Sequence, residues 1–341
     1  MAWMPGGYAG KRRIVANRRI EDEIERLSRV RDGGPGAEAT AAVRKALGDR
    51  VGLVVAKAAK VATEMDAREL TPELAAAFER MMEKPAERDP QCWAKNAIAK
   101  ALTAMGYRES ALYLRGARHV QMEPVWGGQA DTATTLRGIC LLGLAACRDA
   151  RRETVLRVLV DGLTDPGMNV RMDAARAVAE MGGDEAPLLL RLKARAGDSE
   201  LQVVGQVFDS LLAIEGLTAI PFLAGFLHAG SEEVRTEAAL AMGSSRLPEA
   251  VDALVKAWDG TRDPDVRYTI ARAISAARVE AGFAFLLEVV KDGRLAEAQV
   301  ALEALSLHRE SAEIWKRVAE TVAEAGTAVQ AAFRNVAARR G

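Results

Sequence analysis

Asp165-Pro166-Gly167-Met168-Asn169-Val170-Arg171-Met172-Asp173-Ala174-Ala175-Arg176-Ala177-Val178-Ala179-Glu180-Met181-Gly182 is the stretch that decides the fold. Its apolar residues Val170, Ala174, Val178 and Met181 follow one another at intervals of four, four and three, which puts them on a single stripe of a helix. Asp165-Pro166 marks the helix start, and Gly182-Gly183 offers the left-handed residues that end one. The same offsets recur on both sides. From Asp263 they give Pro264, Val266-Arg267, Ile270-Ala271, Ile274 and Ala277; from Asp89 they give Pro90, Ala94, Ala97-Ile98, Leu102, Met105 and Gly106.

Aligned on the first core position, Val54, Ala94, Leu136, Val170, Val203, Val234 and Val266 fall in register, with a looser unit at Arg294-Leu295. A second amphipathic pattern precedes each of the later ones, over residues 154–163, 186–196, 219–228, 250–258 and 281–290. Gly182-Gly183, Gly216 and Gly243 are read as helix ends. Each unit is therefore a helical hairpin. One hairpin cannot bury its own apolar stripe, so successive hairpins must stack. The expected fold is all-α, an α-α superhelix of about eight to nine hairpins. Alanine abundance, few aromatics and the lack of period-two alternation leave no place for strands.

Asp-Pro-x-(x)-Val-Arg-x-x-(Ala)-Ala at this period resembles the HEAT repeats, and within them the short, alanine-rich type named after the phycobilisome lyases. The resemblance covers about residues 48–307 and is closest over 165–277. It implies a HEAT/armadillo-like solenoid whose Val-Arg helices, here those of Val170, Val203, Val234 and Val266, line the concave face. One HEAT-type enzyme, deoxyhypusine hydroxylase, builds a di-iron site from His-Glu pairs. This chain has no His-Glu dipeptide, and His119, His228 and His308 stand far apart, so neither a metal nor another cofactor is expected.

Lys+Arg and Asp+Glu balance at 47 each, so no overall field draws the chain to DNA or to an anionic membrane, and any charged site must be local. Cys92, Cys140 and Cys147 form no CxxC pair and read as buried thiols in a reducing compartment. The N-terminus lacks an apolar signal core, and no stretch is expected to match a membrane span. A cytoplasmic monomer follows as the expectation.

Three segments break the period. Residues 1–35 read as a flexible arm (1–10) followed by a basic helix (12–31), separated by Gly33-Gly34-Pro35-Gly36 from a repeat array over 36–341. Residues 120–130, Val-Gln-Met-Glu-Pro-Val-Trp-Gly-Gly-Gln-Ala, lengthen the connection inside one hairpin, as functional insertions in repeats do. Residues 132–147 form a helix apolar all round, which needs cover on every side. Trp126 folding back over Ile139 and Leu142 would supply that cover; otherwise the helix is an exposed patch awaiting a partner.

The position six places after each first core residue should face the groove. That column reads Lys60, Lys100, Leu142, Arg176, Asp209, Leu240 and Arg272, and the column beside it reads Lys57, Ala97, Ile139, Asp173, Gln206, Glu237 and Thr269. Candidate partner-binding residues are thus Trp126, Arg137 and Leu142 as a hot spot, and Lys60, Lys100, Arg176 and Arg272 as a basic row. Arg171, Arg235 and Arg267 read as fasteners to turn aspartates such as Asp165 and Asp263 or to the next hairpin's turn, and Trp93, Trp258 and Trp315 as packing residues. The function expected is a non-enzymatic scaffold for a protein or peptide partner. One alternative is a nucleic-acid protein resembling the HEAT-like alkylpurine DNA glycosylases, gripping the backbone through the basic row. The other is a chromophore-lyase role, which the family label alone suggests.

Overall fold

The computed structural model describes residues 7–228 and 231–338, with side chains from Arg18 onward. The expected flexible arm falls partly outside these residues; from Gly7 the chain is already helical, as α1 (Gly7–Asp32). The chain divides into two compact units, residues 1–181 and 182–341.

Unit 1 continues from α1 with α2 (Ala37–Leu47), α3 (Gly52–Glu64), α4 (Thr71–Met82), the single turn α5 (Pro85–Arg88), α6 (Trp93–Ala104), α7 (Ser110–Ala117), α8 (Thr134–Ala145), α9 (Arg152–Leu163) and α10 (Met168–Met181). The pairs α2/α3, α4/α6, α7/α8 and α9/α10 are its hairpins. Their second members, α3, α6, α8 and α10, pack side by side in sequence order as an inner layer. α1 packs on α2 and α3, burying Leu27 completely.

Unit 2 comprises α11 (Glu185–Ala196), α12 (Leu201–Glu215), α13 (Ile220–Ala224), α14 (Glu232–Ser245), α15 (Pro248–Gly260), α16 (Pro264–Ala277), α17 (Glu280–Asp292), α18 (Leu295–Leu305), α19 (Ala312–Glu324) and α20 (Thr327–Ala338). Its inner layer is α12, α14, α16, α18 and α20, again packed in order. Nine hairpins among the described residues agree with the sequence reading. The register also holds: Val54, Ala94, Leu136, Val170, Val203 and Val266 are all buried on inner helices, and Val234 is half-buried.

Each difference from expectation has a local cause. The outer helix expected over 219–228 is broken into short turns around α13, because Pro221 lacks an amide and Gly225 is a poor helix former. Gly182, Gly183 and Gly216 do take positive φ, at 61°, 81° and 54°. Gly243 does not end a helix: it lies inside α14, where a Cβ would meet the Ala273 carbonyl oxygen at 2.5 Å, so glycine there lets α14 and α16 approach. Left-handed Arg246 closes α14 instead.

Residues 120–130 are not a loop. Met122–Val125 (β1) and Gly128–Asp131 (β2) form an antiparallel hairpin, paired Met122↔Asp131 through Val125↔Gly128, where no strand was expected. Gly127 at φ 90° makes the two-residue turn. The run Leu201–Leu227 is long and apolar enough by composition to cross a membrane, against the expectation that no stretch would be. Gly216 breaks that run, and Val203, Val204, Val207, Phe208 and Leu211 within it are buried in unit 2.

Candidate functional site

Three of the four inner helices of unit 1, α6, α8 and α10, begin on a buried ladder of charges. One place after each first core residue stands Lys95, Arg137 or Arg171, and six places before each of these stands an aspartate: Asp89, Asp131 or Asp165. Lys95 and Asp89 are fully buried and meet Nζ to Oδ2 at 3.0 Å. Asp89 also accepts from the backbone N–H groups of Ala94 (2.7 Å) and Lys95 (2.9 Å). That geometry requires Gln91 and Cys92 both to take left-handed backbone, φ 57° and 56°. Arg137, also buried, donates through Nε and Nη2 to both oxygens of Asp165 (2.8 and 2.9 Å) while Nη1 reaches Asp131 (2.6 Å) and the His119 carbonyl (3.0 Å). Arg171 closes the next rung on the Asp165 and Pro166 carbonyls, at 2.8 and 3.1 Å. Arg137 thus ties its own turn to that of the following hairpin. A bidentate guanidinium is suited to this because its fork matches the carboxylate.

The β-hairpin stands on this ladder. Glu123 Oε1 accepts from the Gln91 amide (2.7 Å), from Thr132 Oγ1 (2.9 Å) and from the Gln121 side-chain amide, which also reaches the Asp89 carbonyl at 3.1 Å. Asp131 Oδ1 accepts from the backbone of Gln121 (3.1 Å) and Ala133 (3.0 Å). Burial opposes ionisation of both carboxyls, but these hydrogen bonds outweigh it and hold Glu123 and Asp131 below the usual carboxylate range. Burial of His119 lowers its pKa, so the imidazole is neutral at pH 7 beside the Gln121 amide oxygen. The stem is fixed; the tip is bare. Trp126 is 103% exposed, and Val120, Met122 and Val125 around it are also exposed.

The stem of the hairpin meets the turn that leads into α6, through Gln91 and Asp89. On α3, Leu53, Lys57 and Lys60 are spaced four and three apart, hence on one face, and on α6 Trp93, Ala97 and Lys100 repeat the spacing. Leu53 and Trp93 (49% exposed) edge a cavity of about 390 Å³ that Gly52, Pro90 and Gln91 also line. Lys60 and Lys100 are exposed, and none of Lys57, Lys60 and Lys100 makes an ion pair. Further along, Ile139 and Leu142 of α8 are half-buried, and Arg176 of α10 pairs with Asp173 at 2.9 Å. Asp173 lies over Gly138, whose missing side chain gives it room. Burial raises the Asp173 pKa, with Arg176 and Lys100 pulling the other way.

Unit 2 repeats this arrangement with the sign changed. Glu237 of α14 lies over Gly205 of α12 as Asp173 lies over Gly138, but its charged neighbour is Asp209. Burial first, then Asp209, raises the Glu237 pKa. Leu240 is exposed, and Arg272 donates to the Tyr268 hydroxyl at 3.1 Å.

Of the residues singled out in the sequence, Lys60 and Lys100 stand together, Arg176 is already paired, and Arg272 belongs to the other unit. Arg137 is not a contact residue: it is the buried clamp of the ladder. Trp126 does not cover Leu142. The helices α6, α7, α9 and α10 pack around α8 instead, and the tryptophan points to solvent. Trp93 is half exposed rather than packed. The fastener reading holds for Arg171 and for Arg267, which donates to the Thr261 carbonyl (2.8 Å), pairs with Glu297 and lies 5.0 Å from the Trp258 ring centre. Sequence reasoning missed Lys95 and Glu123. The aspartate six places ahead of each cation was the available signal for Lys95; nothing local marks Glu123. Burial pushes the Cys92 thiol up to about 11, so it is no thiolate nucleophile at neutral pH. Among the described residues no three His, Cys, Asp or Glu side chains cluster for a metal.

A stack of inner and outer helices, with charged turns clipped to one another, defines a helical-hairpin repeat protein. More particularly, residues 220–306 match the family of HEAT repeats. No curated protein sequence matches the chain. Among solved structures, the Escherichia coli protein YibA is 15% identical, covers 80% of this chain and 96% of its own, and superposes with a TM-score of 0.40. Human deoxyhypusine hydroxylase in complex with glycerol is 19% identical over 89% of this chain and 100% of its own, with a TM-score of 0.27. The CpcE–CpcF complex of phycocyanin lyase from Nostoc is 16% identical over 85% and 95%, with a TM-score of 0.34.

Proposed function

We propose that the protein is a non-enzymatic scaffold that holds a protein partner on the inner face of unit 1 and on the tip of its β-hairpin, in a reducing cytoplasm. The observation that carries this is the contrast within residues 119–133. Five side chains and a buried ion pair fix the stem, yet the tip offers a fully exposed tryptophan with exposed Val125 and Met122. Preorganising an aromatic side chain removes ordering cost from binding, and tryptophan is the residue most enriched among interface hot spots. An exposed tryptophan does nothing for folding. The three free, buried thiols fit a reducing compartment. The nucleic-acid reading has only the unpaired lysines in its favour, against a net charge of zero. A lyase role has no residue in its favour.

Site-specific photo-crosslinking tests the proposal. With p-benzoylphenylalanine at position 126, discrete protein adducts should form in cells, and they should be absent with the probe at Leu188, an exposed residue of unit 2. Identical adduct patterns from both positions would sink it.

A further inference from the structure

Unit 1 carries, where two adjacent inner helices begin, a partly open and mainly apolar cavity and, further along those helices, three amines that make no ion pair, Lys100 being within electrostatic reach of Asp173, which Arg176 already binds. Leu53 and Trp93 flank the cavity, and Lys60 and Lys100 stand seven residues further along the same faces, about 10 Å at the rise of an α-helix. Lys57 lies between. An extended peptide advances about 3.3 Å per residue, so an apolar side chain in the cavity places residues three to four positions away over the lysines.

We propose that this face binds an extended acidic peptide, with one large apolar side chain between Leu53 and Trp93 and carboxylates three to four residues away on Lys57, Lys60 and Lys100. The proposal rests on the protein-binding reading of unit 1 and gives its partner a chemistry. Charge complementarity selects the occupant: the acids that line the cavity, Glu87 and Asp89, and those near the lysines, Asp173 and Glu64 (4.0 Å from Arg31), are already engaged. Asp89 is held by Lys95 and two backbone amides, Glu87 lies 3.6 Å from Lys84, and Asp173 is bound to Arg176. Arg50, which makes no ion pair, adds positive charge at the cavity. The apolar cavity separates this site from a backbone-tracking nucleic-acid groove, where phosphate contacts alone would dominate.

The test uses the full chain and a fluorescein-labelled decapeptide, blocked at both ends, with one tryptophan, two serines and then a run of glutamates. Its anisotropy should rise on titration, with affinity falling about tenfold or more between 50 and 500 mM salt. The matched glutamine peptide should not bind. Lys60→Glu combined with Lys100→Glu should weaken binding at least about tenfold, and Trp93→Ala about fivefold with partial recovery in Trp93→Phe. All are exposed positions, and an unchanged melting curve verifies each variant. The proposal is overturned by a glutamate peptide that does not bind at low salt, by a glutamine peptide that binds equally, or by charge-reversal variants that bind as the parent does. It is also overturned by a ten-nucleotide oligothymidylate that binds more tightly than the peptide, which would assign the face to nucleic acid. Adducts at position 126 without glutamate-peptide binding would leave the scaffold reading intact and remove only this one.

Discussion

The inner layers of the two units share one packing plan and differ in the balance of charge. In unit 1 a carboxylate rests on Gly138 among Lys100 and Arg176; in unit 2 one rests on Gly205 beside Asp209. Over the two groove columns unit 1 has four bases, Lys57, Lys60, Lys100 and Arg176, and one acid, Asp173, whereas unit 2 has two acids, Asp209 and Glu237, and one base, Arg272. The lesson is that the repeat fixes where a side chain stands but not what it is. Core columns are constrained by stacking, and groove columns are free to vary between neighbours a few helices apart.

The largest way to break the comparison is at the ladder. Arg137→Leu strands Asp131 and Asp165 in a half-buried site, and should cost about 3–5 kcal/mol, read as a fall in the denaturant midpoint. Lys60→Ala, at an exposed position of α3 that makes no ion pair, should stay within about 0.5 kcal/mol of the parent. Equal losses would mean that the exposed row is structural too.

A pair of glycine substitutions sharpens it. A Cβ on Gly138 overlaps Asp173 and comes within 3.1 Å of its Cγ and 3.3 Å of its Cβ, so the short side chain has nowhere to go. Gly138→Ala should destabilise by about 1–2 kcal/mol. At Gly205 the clash is with the end of the longer Glu237, which can swing aside. Gly205→Ala should be neutral or stabilise by up to about 1 kcal/mol through helix propensity. Thermal melts that move the same way for both would refute the distinction.

Acid should act on the two regions in opposite directions. Asp131 and Glu123 have folded pKa values below their unfolded ones, so the stability they contribute is complete above about pH 4–5 and is lost as pH falls through the depressed values. Glu237 has a raised folded pKa, so its contribution is greatest below its unfolded value and declines as pH rises through the folded one. Lowering pH from 6 to about 3 should therefore lower the protection factors at Thr132 and Gln121, taken against the intrinsic exchange rate at each pH, and raise or leave unchanged those of α12 and α14. This is the smallest effect, well under that of Arg137→Leu.

How much of this was legible in the sequence depends on the range of the interaction. Val170, Ala174, Val178 and Met181 announce a helix because the period is local, and the array follows from repeating it. The hairpin was invisible to the same reasoning: Pro124 and Gly127-Gly128 interrupt any alternation, and its stem is set by Glu123 meeting Gln91 32 residues away. Lys95 looks like a groove lysine until Asp89 is brought beneath it by two left-handed residues that no propensity predicts. The exposed Lys60 and Lys100 were readable because exposure on an amphipathic helix is itself periodic; Arg137 was misread because an arginine beside an insertion looks free until its two aspartates are placed.

The strand pairing Met122↔Asp131 brings the two ends of the insertion side by side, so the detour closes on itself and the repeat on either side keeps its register. Loop closure has then been completed at the base, and further residues at the tip add only a slowly growing entropic cost. The unit is in effect a chassis with a socket. Val125 to Gly128 could be exchanged for a longer strand pair or a foreign recognition loop while Gln121, Glu123, Asp131 and Thr132 keep their grip.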